Sequence, residues 1–271
     1  MSHQKRIAVI GATGIAGQQA LAALSDHPWF EVTVLAASER SAGKTYRDAI
    51  SSEAGQLQWY AGVPLPEKFA QMTVQLGSEL DIGSLDIVLD CVETSAARTL
   101  EEQYAPTTPV ISTASAFRYE DDVPIFIPGV NLDHAELLTE QQKIRGWKGF
   151  VTPIPNCTTT GLAMALAPLY REFGIKRVFM TSLQAISGAG RSPGVSALDM
   201  LDNVIPYIPK EEEKVERETQ KILGTLDGTS INPATFDVSS TCMRVGVSDG
   251  HTESVFVELE KNADVAAVSQ A

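Results

Sequence analysis

Cys157 is the residue of this chain whose position most suggests reactivity. It stands in "PIPNCTTTGLAMALAPLY", after a Pro-Asn pair and at the start of an apolar segment with helical spacing. A thiol at a helix start meets unpaired N–H groups and the positive end of the helix dipole, which lower its pKa. The same N–H groups can receive an oxyanion. The pattern favours a nucleophile, and an inert buried cysteine is the alternative.

A histidine and an arginine form a second chemical pair near the end of the chain. His251 stands in "SDGHTES", which predicts a hairpin tip where a side chain can reach into a cleft. Arg244 lies on the strand expected to face it. A base and a carboxylate-binding guanidinium so close together suit an anionic substrate. A turn histidine beside a surface arginine is the alternative.

The segment "GATGIAG" predicts a nucleotide-binding turn. It follows the strand-like "RIAVIG" directly and leads into a helical pattern. Glycines there allow a tight turn and the close approach of a pyrophosphate to the helix N-terminus, whose N–H groups attract anions. A plain strand-to-helix turn is the alternative. The expected cofactor contacts in this turn are Gly11, Thr13, Gly14, Ile15 and Gly17.

The segment "VLAASERSAGK" indicates which dinucleotide binds. An NAD site usually has an acidic residue here, whereas hydroxyl and cationic side chains suit the 2′-phosphate of NADP. Ser38, Arg40, Ser41 and Lys44 fit the second case, and only Glu39 opposes it. The residues therefore favour NADP, with a solvated loop as the alternative.

The first half of the chain must position these groups through alternating strands and helices. Five segments between Arg6 and about Ile125 are strand-like, and Ile15–Leu24 has a helical pattern. Such alternation predicts an α/β fold, a Rossmann-type doubly wound parallel sheet. The expected strands are "RIAVIG", "EVTVLAAS", "LDIVLDCV", "PVISTAS" and "PIFIPGV".

The pattern changes after Cys157, which predicts a second domain. A helix to about Glu172 and the strand "KRVFMTSLQAIS" precede a loop, "GAGRSPGV", and a helix ending in "NVIPYIP". The charged segment "KEEEKVERETQKILG" predicts another helix, and "TFDVSSTCMRVGV" with "HTESVFVELE" an antiparallel hairpin. We expect an α+β catalytic domain with a mainly antiparallel sheet. The predicted domains are 1–155 and 156–271.

Composition limits the function classes. The net charge of -13 argues against nucleic-acid binding, and no apolar stretch is long enough to cross a membrane. Three scattered cysteines without a CxxC pair indicate neither a disulfide framework nor a metal site. The N-terminus lacks a convincing signal-peptide cleavage pattern. We therefore expect a cytoplasmic protein that binds no metal, nucleic acid or membrane.

The motifs together resemble the aspartate-β-semialdehyde dehydrogenase family, in its archaeal and fungal branch. The matching stretches run in order through nearly the whole chain and include "GATGIAG", "ASAFRYEDDVPIFIPGVN", "PNCTTT", "QAISGAG", "NVIPYIPKEEEKVERETQKILG" and "RVGVSDGHTESVFV". The resemblance implies NADPH-dependent reduction of β-aspartyl phosphate to aspartate β-semialdehyde and phosphate. That reaction belongs to the pathway to lysine, threonine, methionine and isoleucine.

The resemblance also implies site residues. Cys157 matches the nucleophile, Gln184 the glutamine that orients the substrate, and His251 the acid/base. The residues that match substrate-binding positions are Arg118 for the phosphate, Arg244 for the carboxylate, and Glu211 with Lys214 for the amino group and the phosphate. Ser187 and Gly188, in "QAISGAG", match positions that contact the cofactor.

Two other functions remain open on the sequence. A malonyl-CoA reductase-like enzyme shares the scaffold and the cysteine, but Arg118, Glu211 and Lys214 favour an amino-acid acyl phosphate. A truncated, inactive nucleotide-binding homologue is the second alternative, because the family continues beyond "ESVFVELE" with further strands and a helix. The resemblance thus implies a second domain incomplete at its C-terminus, and a homo-oligomer, dimer or tetramer, at full length.

Overall fold

Two compact units make up the chain. The structure, a computed structural model, describes residues 4–190 and 194–271, so residues 191–193 of the expected loop "GAGRSPGV" lie outside the described residues. The first unit comprises Met1–Val123 and Leu138–Ile154, and the second comprises Pro124–Leu137 and Pro155–Ala271. The chain passes from the first unit to the second at Pro155, near the expected domain boundary. Residues 124–137, however, also belong to the second unit. The division at 155 remains a prediction about domains.

The first unit contains a parallel sheet. Its strands are β1 (Lys5–Ile10), β2 (Phe30–Ala37), β3 (Val74–Leu76), β4 (Ile87–Asp90), β5 (Val110–Ser112) and β6 (Val151–Pro153). They pair in the order β3-β2-β1-β4-β5-β6, and each adjacent pair is parallel. This is the doubly wound order, and it confirms the predicted fold class.

Helices accompany this sheet. They are α1 (Ile15–Leu24), α2 (Tyr46–Ala49), α3 (Glu67–Ala70), α4 (Thr94–Tyr104) and α5 (Glu136–Arg145). The bounds of α1 agree with the sequence pattern. The central strand β1 is buried from residue 7 to residue 10, as its uninterrupted apolar run predicts for a strand covered on both faces. The strand order reverses between β1 and β4, and ligands bind at such a point in open α/β sheets.

The strand expected at "PIFIPGV" does not form. Ile125 and Ile127 are buried in the core of the second unit without a strand partner. The side chain of Asn131 replaces that partner: its Oδ1 accepts the N–H of Ile127 at 2.9 Å, and its Nδ2 donates to the carbonyl of Ile125 at 2.8 Å. Apolar alternation was a correct sign of burial here but a wrong sign of sheet pairing.

The second unit carries the remaining elements. They are α6 (Cys157–Phe173), β7 (Ile175–Gln184), α7 (Ala197–Met200), α8 (Glu211–Ile222), β8 (Thr225–Asp227), β9 (Ser230–Asn232), β10 (Asp237–Arg244), β11 (Thr252–Leu259) and α9 (Val265–Gln270). The helix expected to end in "NVIPYIP" is limited to the short α7. Pro206 and Pro209 lack the N–H groups that a continued helix needs.

The predicted hairpin is wrong. β10 and β11 do not pair with each other, because β7 lies between them in the order β10-β7-β11. β10 is parallel to β7, whereas β11 is antiparallel to it. The sheet is therefore mixed, and residues 245–251 cross over the end of β7 instead of forming a tight turn. Both strand segments were identified correctly, but their partner was not.

The core of the second unit forms between this sheet and two helices. Buried side chains of α6, such as Leu162 and Leu166, meet Val178 and Met180 of β7 and Val215 of α8 in one apolar cluster. Gly174, with φ of 69°, ends α6 close to Glu172, where the sequence predicted the end of this helix. Within residues 4–190 and 194–271, no helix has the length and apolar character needed to cross a membrane.

A buried carboxyl pair lies in the first unit. Asp90, at the end of β4, and Glu101, on α4, are each 1% exposed, and a proton held between their carboxyl groups would satisfy Oδ2 of Asp90 and Oε2 of Glu101, which have no other partner among the described residues. Burial raises the pKa of Asp90 to about 7, and the charge of Glu101 acts in the same direction. Burial also raises the pKa of Glu101, although Ser112 donates to that carboxylate. The pair therefore holds one proton, on Asp90, below neutral pH.

This proton makes stability pH-dependent in a defined direction. The pKa of Asp90 is about 7 in the folded state and near 3.9 in the unfolded chain, so between these values only the folded protein binds the proton. The contribution of Asp90 to the free energy of unfolding is at its maximum below about pH 4. It decreases as the pH rises towards 7 and is constant above that. We expect the free energy of unfolding to fall with pH by on the order of 2–4 kcal/mol less in Asp90→Asn than in the wild type. Urea unfolding at pH 5 and pH 8 measures it, with the exposed Asp121→Asn as control. Equal pH dependence in wild type and Asp90→Asn would contradict the shared proton.

Candidate active site

Cys157 begins α6, and Asn156 fixes that beginning. Oδ1 of Asn156 accepts the N–H of Thr158 at 3.0 Å and of Thr159 at 3.2 Å, which caps the helix. The backbone N–H of Asn156 donates to the buried carboxylate of Glu218 at 2.7 Å. Cys157 itself is exposed. A buried polar network thus presents an exposed thiol at a helix start.

Three predicted site residues come from one edge of the mixed sheet. Gln184 ends β7, and Arg244 ends β10 directly in register with it. His251 precedes β11, whose first residue lies beside Leu183 of β7. Because β11 runs in the opposite direction, its beginning lies at the same edge as the ends of β7 and β10. The sheet order therefore brings together residues that are far apart in the sequence.

His251 faces the thiol. Its Nε2 lies 3.1 Å from Sγ of Cys157, and the N–H of Ala185 donates to its Nδ1 at 3.2 Å. Arg244 donates to the carbonyl of the same Ala185 at 2.6 Å. While Ala185 donates to Nδ1, the neutral ring carries its proton on Nε2. In this arrangement the imidazole is a hydrogen-bond donor to the sulfur.

Glu211 links the other polar residues. Its Oε1 accepts from Nδ2 of Asn156 at 2.6 Å and from Nε2 of Gln184 at 3.0 Å, and its Oε2 accepts from Lys214 at 3.1 Å. Gln184 also donates to Oγ1 of Thr158 at 2.8 Å. Burial alone would raise the pKa of Glu211, but Asn156, the charge of Lys214 and Gln184 outweigh it, so the pKa lies below its usual value. Glu211 is therefore a buried anion.

The electrostatics of the thiol contradict the sequence-based expectation. Although Cys157 is exposed, the atoms packed around its sulfur desolvate it and raise its pKa, and the charge of Glu211 adds to the rise. The helix-start N–H groups of Thr158 and Cys157 act in the opposite direction, but more weakly. Burial and the charge of Arg244 lower the pKa of His251. The resting site thus pairs a neutral thiol with a neutral imidazole.

The glycine turn of the first unit fits a dinucleotide. Gly11 has a φ of 75°, and a Cβ there would lie 2.6 Å from the carbonyl oxygen of Cys91, just after β4. A Cβ on Gly17 would lie 2.3 Å from the carbonyl oxygen of Gly11. Gly14 caps α1 without a side-chain hydrogen bond, so the first N–H groups of the helix remain available to a phosphate. Thr13 and Ile15 lie in the same turn.

The loop after β2 carries the residues expected at the 2′-phosphate. The N–H of Ser41 donates to the carbonyl of Ser38 at 2.9 Å, and that of Lys44 to Ser41 at 3.3 Å, which gives a compact turn. Arg40 and Lys44 are exposed, whereas Ser41 is buried. Two cations and two hydroxyls on one turn match the chemistry of a phosphate monoester.

The other predicted residues lie in separate places. Arg118 belongs to the first unit, is buried there, and donates to the carbonyl of Thr113 at 3.0 Å. Gly188 belongs to the second unit, where a Cβ would lie 3.1 Å from Cε1 of His251 and 3.2 Å from Nη1 of Arg244. Ser187 donates its N–H to Ser248 at 3.1 Å. Gly188 therefore permits close contact between the loop after β7 and the thiol–imidazole pair.

Sequence reasoning missed four residues of this site. Asn156 had a local signal, since asparagine before a helix is a preferred N-cap. Glu218 and Ala185 had none, because their contacts depend on which elements pack together. Glu253, which lines the cavity at Cys157 together with Gly161 and His251, also carried no signal beyond its place on a strand.

Family models match both halves of the chain. Residues 6–138 match the model described as "Semialdehyde dehydrogenase, NAD binding domain". Residues 166–271 match "Semialdehyde dehydrogenase, dimerisation domain".

Similar proteins carry a consistent name. The chain is 43% identical to the aspartate-semialdehyde dehydrogenase of Methanothermobacter thermautotrophicus, over 98% of this chain and 74% of that protein. It is 40% identical to that of Saccharomyces cerevisiae, over 100% of this chain and 75% of that protein. Among solved structures, aspartate semialdehyde dehydrogenase with NADP from Candida albicans superimposes with a TM-score of 0.86 at 38% identity, over 98% of this chain and 75% of that one. Aspartate semialdehyde dehydrogenase II complexed with ASA from Vibrio cholerae has a TM-score of 0.74 at 28% identity, over 99% and 78%.

Proposed function

We propose that this chain, which belongs to the aspartate-semialdehyde dehydrogenase family, catalyses the reversible NADPH-dependent reduction of β-aspartyl phosphate to aspartate β-semialdehyde and phosphate. The observation that carries the proposal is the placement of Nε2 of His251 3.1 Å from Sγ of Cys157, at a sheet edge shared with Gln184 and Arg244. Such an arrangement supports acyl transfer to a thiol.

The thiol makes the reduction feasible by changing the acyl group. Attack by the Cys157 thiolate on the acyl phosphate releases phosphate and leaves a thioester, which accepts hydride more readily than a carboxylate does. Nε2 of His251 can donate a hydrogen bond to the thiolate and then to the oxygen that becomes negative. The acid/base role that the resemblance implies for His251 is part of the proposal.

The remaining charged residues suit a substrate that carries both positively and negatively charged groups. Arg244 is the proposed partner of the substrate carboxylate, and Gln184, held by Thr158 and Glu211, orients the acyl group. The anionic Glu211 suits the substrate amino group, while Lys214 and Arg118 suit the phosphate. A CoA thioester would need neither Glu211 nor Lys214, which favours the acyl phosphate over malonyl-CoA.

NADPH, when bound, supplies the hydride for reduction of the thioester. The chain's part is to hold it: the turn with Gly11, Gly14 and Gly17 receives the pyrophosphate, and the loop with Arg40 and Lys44 receives the 2′-phosphate. Ser187 and Gly188, beside His251, are the proposed contacts of the second unit with the cofactor.

Cofactor preference tests the loop after β2. If Arg40, Ser41 and Lys44 bind the 2′-phosphate, NADP should bind much more tightly than NAD, and Arg40→Ala should reduce that preference by about 10-fold or more. Titration calorimetry with both cofactors measures the preference. Arg47→Ala is the control, because Arg47 pairs with Glu67 outside this loop. Equal affinity of the wild-type chain for the two cofactors would contradict the assignment.

A substrate comparison tests the function itself. We expect reduction of NADP in the presence of aspartate semialdehyde and phosphate, dependent on phosphate, and no oxidation of NADPH with malonyl-CoA. The reverse preference would favour the malonyl-CoA reductase-like alternative. NADP binding without turnover on either substrate would favour an inactive nucleotide-binding homologue.

We propose a second copy of this chain as the partner of the exposed sheet face. Phe179 of β7 and Phe256 of β11 are opposite each other in register, with ring centroids 6.4 Å apart, and are 50% and 65% exposed. Contiguous exposed apolar surface is a feature of protein–protein interaction sites. The match to a dimerisation domain model supports a homodimer, which sedimentation equilibrium of Phe256→Glu against wild type tests.

A reducing cytoplasm suits the proposed chemistry. All three cysteines are free, and Cys157 is exposed. An exposed nucleophilic thiol has to remain reduced. Oxidised glutathione should therefore inactivate the enzyme, and dithiothreitol should restore it.

A further inference from the structure

Glu218 carries a buried carboxyl group that the proposed function does not use. It lies on α8, a helix rich in charged side chains, but it is 0% exposed. Removing a carboxyl group from water is unfavourable unless hydrogen bonds replace the lost hydration. Oε2 of Glu218 accepts the backbone N–H of Asn156 at 2.7 Å, and Asn156 directly precedes the proposed nucleophile Cys157. The buried glutamate therefore contacts the residue next to the thiol.

Helical spacing presents Glu218 to the start of α6. Glu211, Val215, Glu218 and Ile222 follow each other at intervals of four, three and four residues, which places them on one face of α8. All four are buried, whereas the other three glutamates of the helix are partly or fully exposed. Val215 and Ile222 pack with buried side chains of α6 in one apolar cluster. This packing holds the two glutamates against the beginning of α6.

Glu218 completes the cap of α6. In a capping box the N-cap side chain accepts the N–H of the third helical residue, and a glutamate or glutamine at that third position accepts the N–H of the N-cap residue. In α6 the side chain of Asn156 accepts the N–H of Thr159 at 3.2 Å. The hydroxyl of Thr159 has no hydrogen-bond partner among the described residues, and Glu218 accepts the N–H of Asn156 instead. The two halves of this box come from two helices.

Glu211 holds the same asparagine through its side chain. Oε1 of Glu211 accepts from Nδ2 of Asn156 at 2.6 Å, which leaves Oδ1 for the first N–H groups of α6. Both the backbone and the side chain of Asn156 are thus bound to α8. The backbone angles of Asn156, φ of -56° and ψ of 146°, set the direction in which α6 starts. The position of Cys157 therefore depends on α8.

We propose that Glu218 is a positioning residue for the Cys157 thiol. By holding Asn156 it keeps the first turn of α6 formed, so that the N–H groups of Cys157 and Thr158 stay close to the sulfur. Glu218 acts through Asn156, and no bond to it is made or broken during the reaction. The inference rests on the thiol chemistry proposed above and adds a residue that supports it.

The charges around the thiol define the effect of losing Glu218. The N–H groups at the start of α6 lower the pKa of Cys157, while burial and the charge of Glu211 raise it. His251 lies on the open side of the thiol, where Arg244 exerts its charge on the imidazole. Glu253 lines the same cavity, and burial raises its pKa to about 7. A loosened first turn would withdraw the N–H groups and leave the other influences in place, so the pKa of the thiol should rise.

The pH profile of thiol alkylation tests the proposal without requiring turnover. In Glu218→Ala we expect the midpoint for modification of Cys157 by iodoacetamide to rise by about 0.5–1 pH unit. The rate at pH 7 should then fall by about 3- to 10-fold. Glu213→Ala removes an exposed carboxyl group from the same helix and is the matched control for charge. Ile222→Val removes one buried methyl group from the same face and is the control for lost stability. Both controls should keep the wild-type profile.

The direction of the change separates positioning from two other roles. If Glu218 acted only through a negative charge, its removal would lower the pKa of the thiol and make alkylation at pH 7 faster. If it only stabilised the fold, Glu218→Ala would keep the wild-type profile, as Ile222→Val does. Either result would overturn the proposal.

Conservative variants keep the test decisive where the alanine variant does not fold. Glu218→Gln retains an oxygen that accepts the N–H of Asn156 and should react at pH 7 within about 2-fold of the wild-type rate. Glu218→Asp is shorter by one methylene group and withdraws the carboxyl group from Asn156, so its midpoint should shift upward as in the alanine variant. A wild-type profile for Glu218→Asp together with a shifted one for Glu218→Gln would contradict the proposal.

Steady-state kinetics extend the test to catalysis. Glu218→Ala should lower kcat by about 10- to 100-fold and leave KM for aspartate semialdehyde within about 2-fold, because the thiol is misplaced while the proposed substrate anchors remain. An unchanged kcat, or a loss confined to KM, would contradict a role in positioning the thiol. A wild-type chain without turnover would count against the proposed function, and the alkylation profile would still decide the role of Glu218.

Discussion

Cys157→Ala is expected to abolish turnover, by on the order of 10⁴-fold or more, while NADP binding is retained. Without the thiol no thioester forms, and the acyl phosphate has no covalent route to a good hydride acceptor. The predicted contacts with the pyrophosphate and the 2′-phosphate of the cofactor lie in the first unit, whereas Cys157 belongs to the second. Steady-state rates together with a fluorescence titration of NADP measure both expectations.

Selective labelling is the control for this result. Burial raises the pKa of Cys91 to about 12 and of Cys242 to about 11, and both are buried, whereas Cys157 is exposed. One equivalent of iodoacetamide should modify Cys157 alone, and mass spectrometry of peptides from the labelled protein identifies the site. Modification of Cys91 or Cys242 first, or near-normal turnover of Cys157→Ala, would exclude Cys157 as the nucleophile.

His251→Ala is expected to lower kcat by about 10²–10⁴-fold with little change in substrate KM. The substitution removes the N–H group 3.1 Å from the sulfur, which can stabilise both the thiolate and the oxygen that becomes negative. His27→Ala, in the first unit, is the matched control and should leave the kinetics unchanged. Steady-state kinetics of both purified variants measure kcat and KM. A normal kcat for His251→Ala would rule out a catalytic role for His251.

Arg244→Ala should give a different kinetic pattern. Loss of the proposed carboxylate anchor raises KM, because the interaction is present in both ground and transition states. Arg244 also holds the carbonyl of Ala185, whose N–H positions His251, so a smaller loss of kcat is expected as well. The structure therefore couples two roles that the sequence suggested were separate. An unchanged KM for Arg244→Ala would contradict the anchor role.

The local parts of the fold could be predicted from the sequence. Gly11 and Gly17 occur where a side chain would collide with neighbouring backbone, and a short-range glycine pattern is enough to identify such a turn. The bounds of α1, and the start of α6 at Cys157 after the capping Asn156, also agree with expectation. These features depend on neighbours within a few residues, so the sequence contains the necessary information.

The partners of strands could not be predicted in the same way. The alternation in β10 and β11 identified both strands, and their short connection predicted a hairpin, but β7 lies between them. The segment at Ile125 and Ile127 has the pattern of a strand, but the side chain of Asn131 satisfies its backbone. Pairing depends on contacts between distant segments, which alternation within one segment does not specify.

The sequence by itself determined which residues could react, while the tertiary structure decided their protonation and their partners. Cys157, Gln184, Arg244 and His251 were identified from residue types and family resemblance. The raised pKa of the thiol was not, because it depends on atoms packed around the sulfur and on the charge of Glu211, which outweigh the helix-start N–H groups. Desolvation and charge act through space, and the distances that set them exist only in the folded chain.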